Sequence, residues 1–178
     1  MKYNLFNEYV QEESDFVNPI LSQFKSNGPI SFDLSPGTIQ GLEMYSENGV
    51  AVSHSKLHMA GFYAIYKNEG IFHRCIYIGS TSTSIASRLS RFVKEVNGYS
   101  TPDENHPAAK KYRELYGNDL SGVYFVYSNL SFTTKEVTQE DVEYCLIREL
   151  KGQFNKRIVP SKKPKLPKIH PMHQVYVI

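Results

Sequence analysis

The chain has 178 residues, of which 40% are hydrophobic, and its formal net charge is +2 at pH 7. This length allows one domain with a well-buried core, or a small core with additions. No apolar run approaches the roughly 18–20 residues of a membrane span, and the acidic N-terminal sequence is not typical of a signal peptide. Two cysteines, neither in a CxxC pair, exclude a disulfide framework. We therefore expect a cytoplasmic protein with no membrane partner.

Charge is unevenly distributed along this chain. Residues 1–60 carry a net charge of −4, residues 61–150 a net charge of −1, and residues 151–178 a net charge of +7. The basic C-terminal segment is also rich in proline, so we expect it to be extended. A segment of this kind is typical of polyanion binding, but also of a solvated terminus.

The predicted elements are weak at first and become clear in the second third of the chain. Residues 1–58 indicate one amphipathic helix, which contains Phe16 and Val17, followed by loops with frequent turn signals. Two runs rich in aromatic and β-branched residues, 61–66 and 71–78, then predict a β-hairpin. Apolar residues fall on both faces of these strands, so we expect a buried central hairpin.

Helices and a third strand follow the hairpin. Apolar residues recur at helical spacing from Ile85 to Val96 and predict a helix after a serine-rich turn. Pro107 is placed to open a short basic helix that ends at Gly117. Residues 122–127 are rich in aromatic residues and valine, and predict a strand.

End signals define the helices further. Ser82 or Ser84 can cap the helix after the hairpin, while Thr138 and Asp141 form a capping box for a last helix that Gly152 can terminate. The resulting order, β-β-α-α-β-α, predicts the α+β class. We expect a small three-stranded antiparallel sheet flanked by helices, with N- and C-terminal extensions.

Four polar residues stand out among apolar neighbours. Tyr63 and Tyr77 lie within the hairpin strands, and Arg88 borders the apolar stripe of the helix that follows. Glu143 shares a helix face with apolar residues three, four and seven positions further on. An unpaired carboxylate is costly there, so Glu143 needs a raised pKa or a cation, either Arg88 or a divalent metal. Taken singly, such tyrosines are typical of a packed core and such a glutamate of a surface ion pair.

The ordered set of these residues, with the expected element between each pair, resembles the GIY-YIG nuclease family. The set consists of Gly61-Phe62-Tyr63, a hairpin turn, Tyr77-Ile78-Gly79, a helix with Arg88, and a last helix with Glu143 followed by Asn155. The resemblance covers residues 59–156, which we interpret as a GIY-YIG nuclease core. Residues 1–58 are then an N-terminal extension for dimerisation or DNA recognition, and residues 157–178 a basic C-terminal tail.

The resemblance implies metal-dependent hydrolysis of phosphodiester bonds. Glu143 matches the family's single metal-binding carboxylate, for Mg²⁺ or Mn²⁺. Tyr63 and Tyr77 match its two tyrosines, one of which helps to deprotonate the attacking water. Arg88 matches the arginine that contacts the scissile phosphate, and Asn155 matches the asparagine that closes the core.

Two departures from the family pattern affect these assignments. Arg88 falls nine residues after Gly79 rather than the expected eight, so Arg91, one helical turn further on, is an alternative for the phosphate contact. Many members carry a histidine four residues after the arginine, where this chain has Phe92.

A tyrosine of ordinary pKa is almost entirely protonated at pH 7, so it needs a proton acceptor or a nearby cation to act on water. His73 is a candidate helper for this task because residues 73 and 77 share one face of a regular strand. Since they are then about 13–14 Å apart along the strand, any partnership of His73 must run across the hairpin to Tyr63. His106, ahead of the short basic helix, is a second candidate, as a replacement in space for the missing histidine.

Basic residues on the short helix and in the tail are candidates for DNA binding, with a solvated basic surface as the alternative. The predicted DNA-binding residues are Arg91, Lys110, Lys111, Arg113, Asn155, Lys156, Arg157, Lys162 and Lys163.

Within the family, the compact chain is most like the small type II restriction endonucleases. We therefore expect a Mg²⁺-dependent (or Mn²⁺-dependent) endonuclease that cuts double-stranded DNA at specific sites. Cutting two strands with one site per chain implies a homodimer. The alternatives are a structure-specific or phage-type nicking or repair nuclease, and a non-catalytic nucleic-acid-binding module on the same fold.

Overall fold

The computed structural model describes residues 4–32, 44–46, 54–99, 105–132 and 137–155. Within these ranges, the elements follow in the order α1 (Asn4–Ser26), β1 (Ile30–Phe32), β2 (Met44–Ser46), α2 (His54–Leu57), β3 (Gly61–Glu69), β4 (Phe72–Thr81), α3 (Ile85–Val96), α4 (Ala109–Tyr116), β5 (Val123–Ser128) and α5 (Gln139–Leu150). None of the helices described there is both long and apolar enough to cross a membrane.

The strands form one antiparallel sheet in the order β2-β1-β5-β3-β4, so the α+β class is confirmed. The predicted strands, β3, β4 and β5, are present and adjacent. The expectation of only three strands is wrong, because β1 pairs with β5 through Ile30 and Phe125, and β2 pairs with β1. β1 and β2 have three residues each, too few for an alternating pattern to stand out in the sequence.

Helices cover both faces of the sheet. On one face, here called the α3/α4 face, buried residues of α3 and α4 such as Phe92 and Tyr112 pack with Tyr63 and Phe125. On the opposite α1/α5 face, apolar residues of α1 and α5 such as Ile20 and Leu146 pack against the other sides of the same strands. Apolar side chains on both sides of β3 are required by this three-layer arrangement.

Only part of the hairpin is buried as predicted. β3 lies between β5 and β4, and its first five residues are buried. β4 is at the edge of the sheet, and the hairpin turn beside it leaves Ile71 and Phe72 exposed by 87% and 68%. The expectation of a buried central hairpin is therefore confirmed for the first five residues of β3 and wrong for the turn and the first half of β4.

A register shift in β4 decides which side chains face the candidate site. Ile65 lies opposite Tyr77, but the next residue, Tyr66, lies opposite Cys75, so Ile76 is an extra residue in β4. An extra residue of this kind reverses the alternation of side chains along a strand. As a result, Cys75 packs on the α1/α5 face, whereas Ile76 and Tyr77 pack on the α3/α4 face.

The outer edge of β4 is covered by the segment after α5. The backbone N–H groups of Gln153 and Phe154 donate to the carbonyls of Cys75 and Ile76, at 3.1 and 2.8 Å. Because these hydrogen bonds pair carbonyl groups at the outer edge of β4, the segment fixes the position of the second half of this strand.

The predicted helix ends are confirmed except at Pro107 and Gly152. Pro107 lies ahead of α4, whose N-cap is Ala108, and so it is not in the first helical turn. Ser84 caps α3, Thr138 and Asp141 form the capping box of α5, and Gly117 follows α4 with a positive φ of 70°. Gly152 does not provide the left-handed residue after α5, since Lys151 takes that position with φ at 54°.

Candidate active site

A cleft of about 440 Å³ opens at the ends of β3 and β4 that meet α3 and α5. Its walls come from the hairpin, α3, the segment before α4, and the first turns of α5. The lining residues are Tyr63, Tyr77, Ser80, Arg88, His106, Pro107, Glu140, Asp141, Glu143 and Tyr144. The structure thus brings together the four residues that stood out in the sequence.

The two tyrosines lie side by side because of the hairpin register. Tyr63 of β3 is opposite Gly79 of β4, and its ring centre is 6.1 Å from that of Tyr77. A Cβ atom on Gly79 would lie 2.6 Å from the Tyr63 hydroxyl oxygen and 2.8 Å from Tyr77 Cε1. Only glycine allows the Tyr63 ring to cross β4 at this point.

Both tyrosines are protonated at neutral pH. Burial is the main cause that raises the pKa of Tyr63 well above its ordinary value of 10.0, and the neighbouring Tyr77 raises it further. Burial, together with the negative charge of Glu143, raises the pKa of Tyr77 to about 12. Each therefore offers the cleft a phenol O–H group rather than a phenolate.

Glu143 places a half-buried carboxylate on the cleft wall formed by α5. Its Oε2 accepts a hydrogen bond of 2.5 Å from Ser80 Oγ on β4. Burial raises the pKa of Glu143, whereas the hydrogen bonds from Ser80 and the positive charge of Arg88 act in the opposite direction. The sequence-based expectation of a raised pKa or a nearby cation is met by both effects.

Arg88 points its guanidinium at the same cleft from α3. Within the described part of the chain, this group forms no ion pair, with Glu143 or any other residue. It is close enough to Glu143 to lower its pKa, yet leaves space between the two charges. Arg91 is half-buried one turn further along α3 and does not line the cleft, so the geometry favours Arg88 for contact with a bound anion.

His106 forms the inner wall of the cleft, although the sequence offered it only as a second candidate. Its ring is 3% exposed and packs against Tyr77 and Phe92, with ring centres 4.8 and 5.3 Å apart. Its Nε2 atom is 3.3 Å from the Tyr63 hydroxyl oxygen. Burial and the positive charges of Arg88 and Arg91 lower the pKa of His106 from 6.5 to about 3, so the ring is neutral at neutral pH.

The prediction that His73 assists Tyr63 is corrected by the register of the hairpin. His73 lies opposite Asn68, near the turn, whereas Tyr63 is opposite Gly79 at the other end. The extra residue in β4 also places His73 and Tyr77 in opposite phases of the strand, so they do not share a face. The His73 side chain is exposed and its Nδ1 atom is 2.9 Å from the Tyr124 hydroxyl oxygen.

The contacts of Asn155 agree with its resemblance-based role in closing the core, whereas its predicted contact with DNA stays a prediction. Its Nδ2 donates to the Ile78 carbonyl at 2.7 Å, and its Oδ1 accepts from the Ile78 N–H at 2.9 Å. The amide is thus occupied by the backbone of β4. Gly152 makes this possible, since a Cβ atom there would collide with Asn155 Oδ1.

The other predicted DNA-binding residues fall into two groups. Lys110, Lys111 and Arg113 are exposed on α4, the element that follows the His106 wall, and Arg113 also donates to the Glu95 carbonyl at 3.4 Å. The predicted contacts of the tail, Lys156, Arg157, Lys162 and Lys163, lie outside the described residues.

The donor set of the cleft fits some metals and not others. The described residues contain no group of three or more His, Cys, Asp or Glu side chains that could hold a metal ion. They do not by themselves form the three- or four-ligand site that zinc prefers. Mg²⁺ is different, because it keeps several waters and is often held by one or two carboxylates together with substrate phosphates. Glu143 can supply one such carboxylate, and Glu140 lies one turn earlier on the same wall.

Several cleft residues could not be identified from the sequence. Ser80 follows the Tyr-Ile-Gly motif in a serine- and threonine-rich turn that gives no reason to select it. Glu140 and Tyr144 have no unusual sequence environment and become cleft residues only through the orientation of α5.

Comparisons of this chain with models of protein families, with curated proteins and with solved structures find no match.

Proposed function

We propose that the protein is a Mg²⁺-dependent endonuclease that hydrolyses phosphodiester bonds in double-stranded DNA and belongs to the GIY-YIG nucleases that its motifs resemble. One observation carries the proposal: a half-buried carboxylate, Glu143, and the guanidinium of Arg88 line the same cleft, with no ion pair between them among the described residues. A phosphate and a metal ion together complement this separated pair of charges, since each charge then gains an opposite partner.

The residues of the cleft have distinct tasks in this proposal. Arg88 binds two oxygens of the scissile phosphate with its paired N–H donors and stabilises the charge that develops during the reaction. Tyr63 and Tyr77 offer O–H groups that orient the phosphate and the attacking water. Glu143 holds Mg²⁺, or Mn²⁺ in its place. The ion, when bound, polarises the phosphate and stabilises the leaving oxygen.

DNA binding in this proposal relies on positive charge beside the cleft. Lys110, Lys111 and Arg113 are exposed on α4, directly after the segment that lines the cleft with His106 and Pro107. Contacts of such residues with phosphates give affinity and salt dependence. We propose that the protein is a site-specific, type II restriction endonuclease acting as a homodimer, because a single cleft of this kind cuts one strand and the second strand needs a second copy.

The test is digestion of plasmid DNA by the purified protein, with Mg²⁺ and with EDTA, beside the Glu143→Gln variant. Glu149→Gln is the matched control, since Glu149 is exposed near the end of the same helix. We expect discrete, Mg²⁺-dependent fragments from the wild type and the control, and none from Glu143→Gln.

Other outcomes of this digestion distinguish the alternatives. Mg²⁺-dependent nicks or a smear, abolished by Glu143→Gln, would retain the nuclease but contradict site-specific cleavage of both strands. Salt-sensitive DNA binding with no cleavage in Mg²⁺ or Mn²⁺ would contradict catalysis and support a binding module.

A further inference from the structure

His106 has two hydrogen-bond partners that together determine which nitrogen carries its hydrogen. The backbone N–H of Ala108 donates to Nδ1 at 3.3 Å, and a backbone N–H can only donate. Nδ1 must therefore be an acceptor without a hydrogen. In a neutral imidazole the hydrogen is then on Nε2, the atom that is 3.3 Å from the Tyr63 hydroxyl oxygen.

The direction of the second hydrogen bond follows from this tautomer. Nε2–H donates to the oxygen of Tyr63, so the hydroxyl hydrogen of Tyr63 cannot also point along that line. Tyr63 is 2% exposed and lines the cleft together with Arg88, so the cleft is the open space that its side chain borders.

We propose that His106 is a positioning residue for Tyr63: by donating Nε2–H to the Tyr63 oxygen, it directs the Tyr63 hydroxyl hydrogen into the cleft, toward the scissile phosphate. This inference rests on the proposed nuclease function. It assigns His106 the task of a neutral donor, not of a base that accepts a proton from water. The packing of the ring between Tyr77 and Phe92 fixes its orientation for that task.

The first test is independent of activity. In protein labelled with ¹⁵N-histidine, the signals of His106 are assigned by their loss in a His106→Gln variant. At neutral pH we expect an Nδ1 atom without hydrogen and a protonated Nε2. The opposite tautomer, or a charged ring, would overturn the proposal. The observed tautomer decides the direction of the hydrogen bond whether or not the wild-type protein cleaves DNA. Absence of cleavage would instead overturn the proposed function.

The second test measures cleavage under single-turnover conditions, with DNA binding measured separately. Glutamine can place an amide donor near the position of Nε2, whereas asparagine reaches only as far as Nδ1. We expect His106→Gln to keep most of the cleavage rate. We expect His106→Asn to lower the cleavage rate about tenfold or more, because a buried polar group loses its hydrogen bond. DNA affinity should be unchanged in both variants. His73→Gln is the control on an exposed histidine away from the cleft.

A double-mutant cycle separates positioning from general support of the fold. In a Tyr63→Phe background the hydroxyl group is absent, so we expect His106→Asn to cause no further loss of rate. A further loss of the same size in this background would show that His106 does not act through Tyr63. A His106→Gln variant as inactive as His106→Asn, with unchanged folding, would also contradict the donor role.

Discussion

Acidification is expected to destabilise the protein through His106. The pKa of this histidine is lowered from 6.5 to about 3, chiefly by burial. Between these two values the unfolded chain binds a proton that the folded chain excludes, so the free energy of unfolding falls as the pH falls from 6.5 toward 3. At pH 5 the loss attributable to His106 is about 2 kcal/mol relative to pH 7.5, from 1.36 kcal/mol per pH unit below the unfolded pKa.

Urea denaturation at pH 7.5 and pH 5 measures this loss. Other groups titrate in the same range, among them Glu143, whose raised pKa acts in the opposite direction. The informative quantity is therefore the difference between the wild type and His106→Gln at the two pH values, with His73→Gln as the exposed control. We expect His106→Gln to remove about 2 kcal/mol of the pH dependence and His73→Gln to leave it unchanged. Equal pH dependence in the wild type and His106→Gln would refute a buried, neutral His106.

Three further substitutions test the contacts of the cleft and of the sheet edge. Arg88→Lys keeps the charge but loses the paired donors, so we expect cleavage to fall roughly 100-fold in a single-turnover assay, and an unchanged rate would contradict two-oxygen binding of phosphate. Ser80→Ala removes a hydrogen bond that lowers the pKa of Glu143, so this pKa should rise. In a pH–rate profile, the loss of cleavage on acidification should then begin at a higher pH. An unchanged profile, or a shift to lower pH, would contradict the contact. Asn155→Ala removes two hydrogen bonds to Ile78, so we expect the free energy of unfolding in urea to fall by about 2–3 kcal/mol and DNA affinity to stay unchanged. Reduced DNA affinity without a loss of stability would instead support a DNA contact for Asn155.

The sequence was sufficient to predict the elements that have strong periodicity or end signals. β3 and β4 are runs rich in aromatic and β-branched residues, and α3 and α5 carry apolar residues at helical spacing. The capping box of Thr138 and Asp141 marks the start of α5. β1 and β2 were missed because three residues cannot display a period. Their pairing with β5 depends on contacts between residues far apart in the chain.

The cleft residues on the hairpin, α3 and α5 were predicted from the sequence. Tyr63, Tyr77, Arg88 and Glu143 reach one cleft because the register of the sheet and the stripes of α3 and α5 place them there. The role of His73 was mispredicted because the extra residue at Ile76 changes which face each side chain of β4 occupies, and no residue type in β4 signals it.

The buried position of His106 could not be predicted from the sequence. It lies outside any periodic element, and its neighbours in the chain do not indicate that it is buried. Its position depends on the packing of its ring against Phe92 of α3. This burial becomes evident only after α3 and α4 are packed together.

The central claim is that the cleft with Glu143 and Arg88 cleaves phosphodiester bonds. Its most direct test is single-turnover cleavage of duplex DNA at saturating protein and Mg²⁺, for the wild type, Glu143→Gln and Glu149→Gln. We predict that Glu143→Gln lowers the rate roughly a thousandfold, the scale of the several kcal/mol of charge stabilisation that a metal ion supplies, while Glu149→Gln and DNA affinity are unaffected. Cleavage by Glu143→Gln at the wild-type rate would contradict the claim.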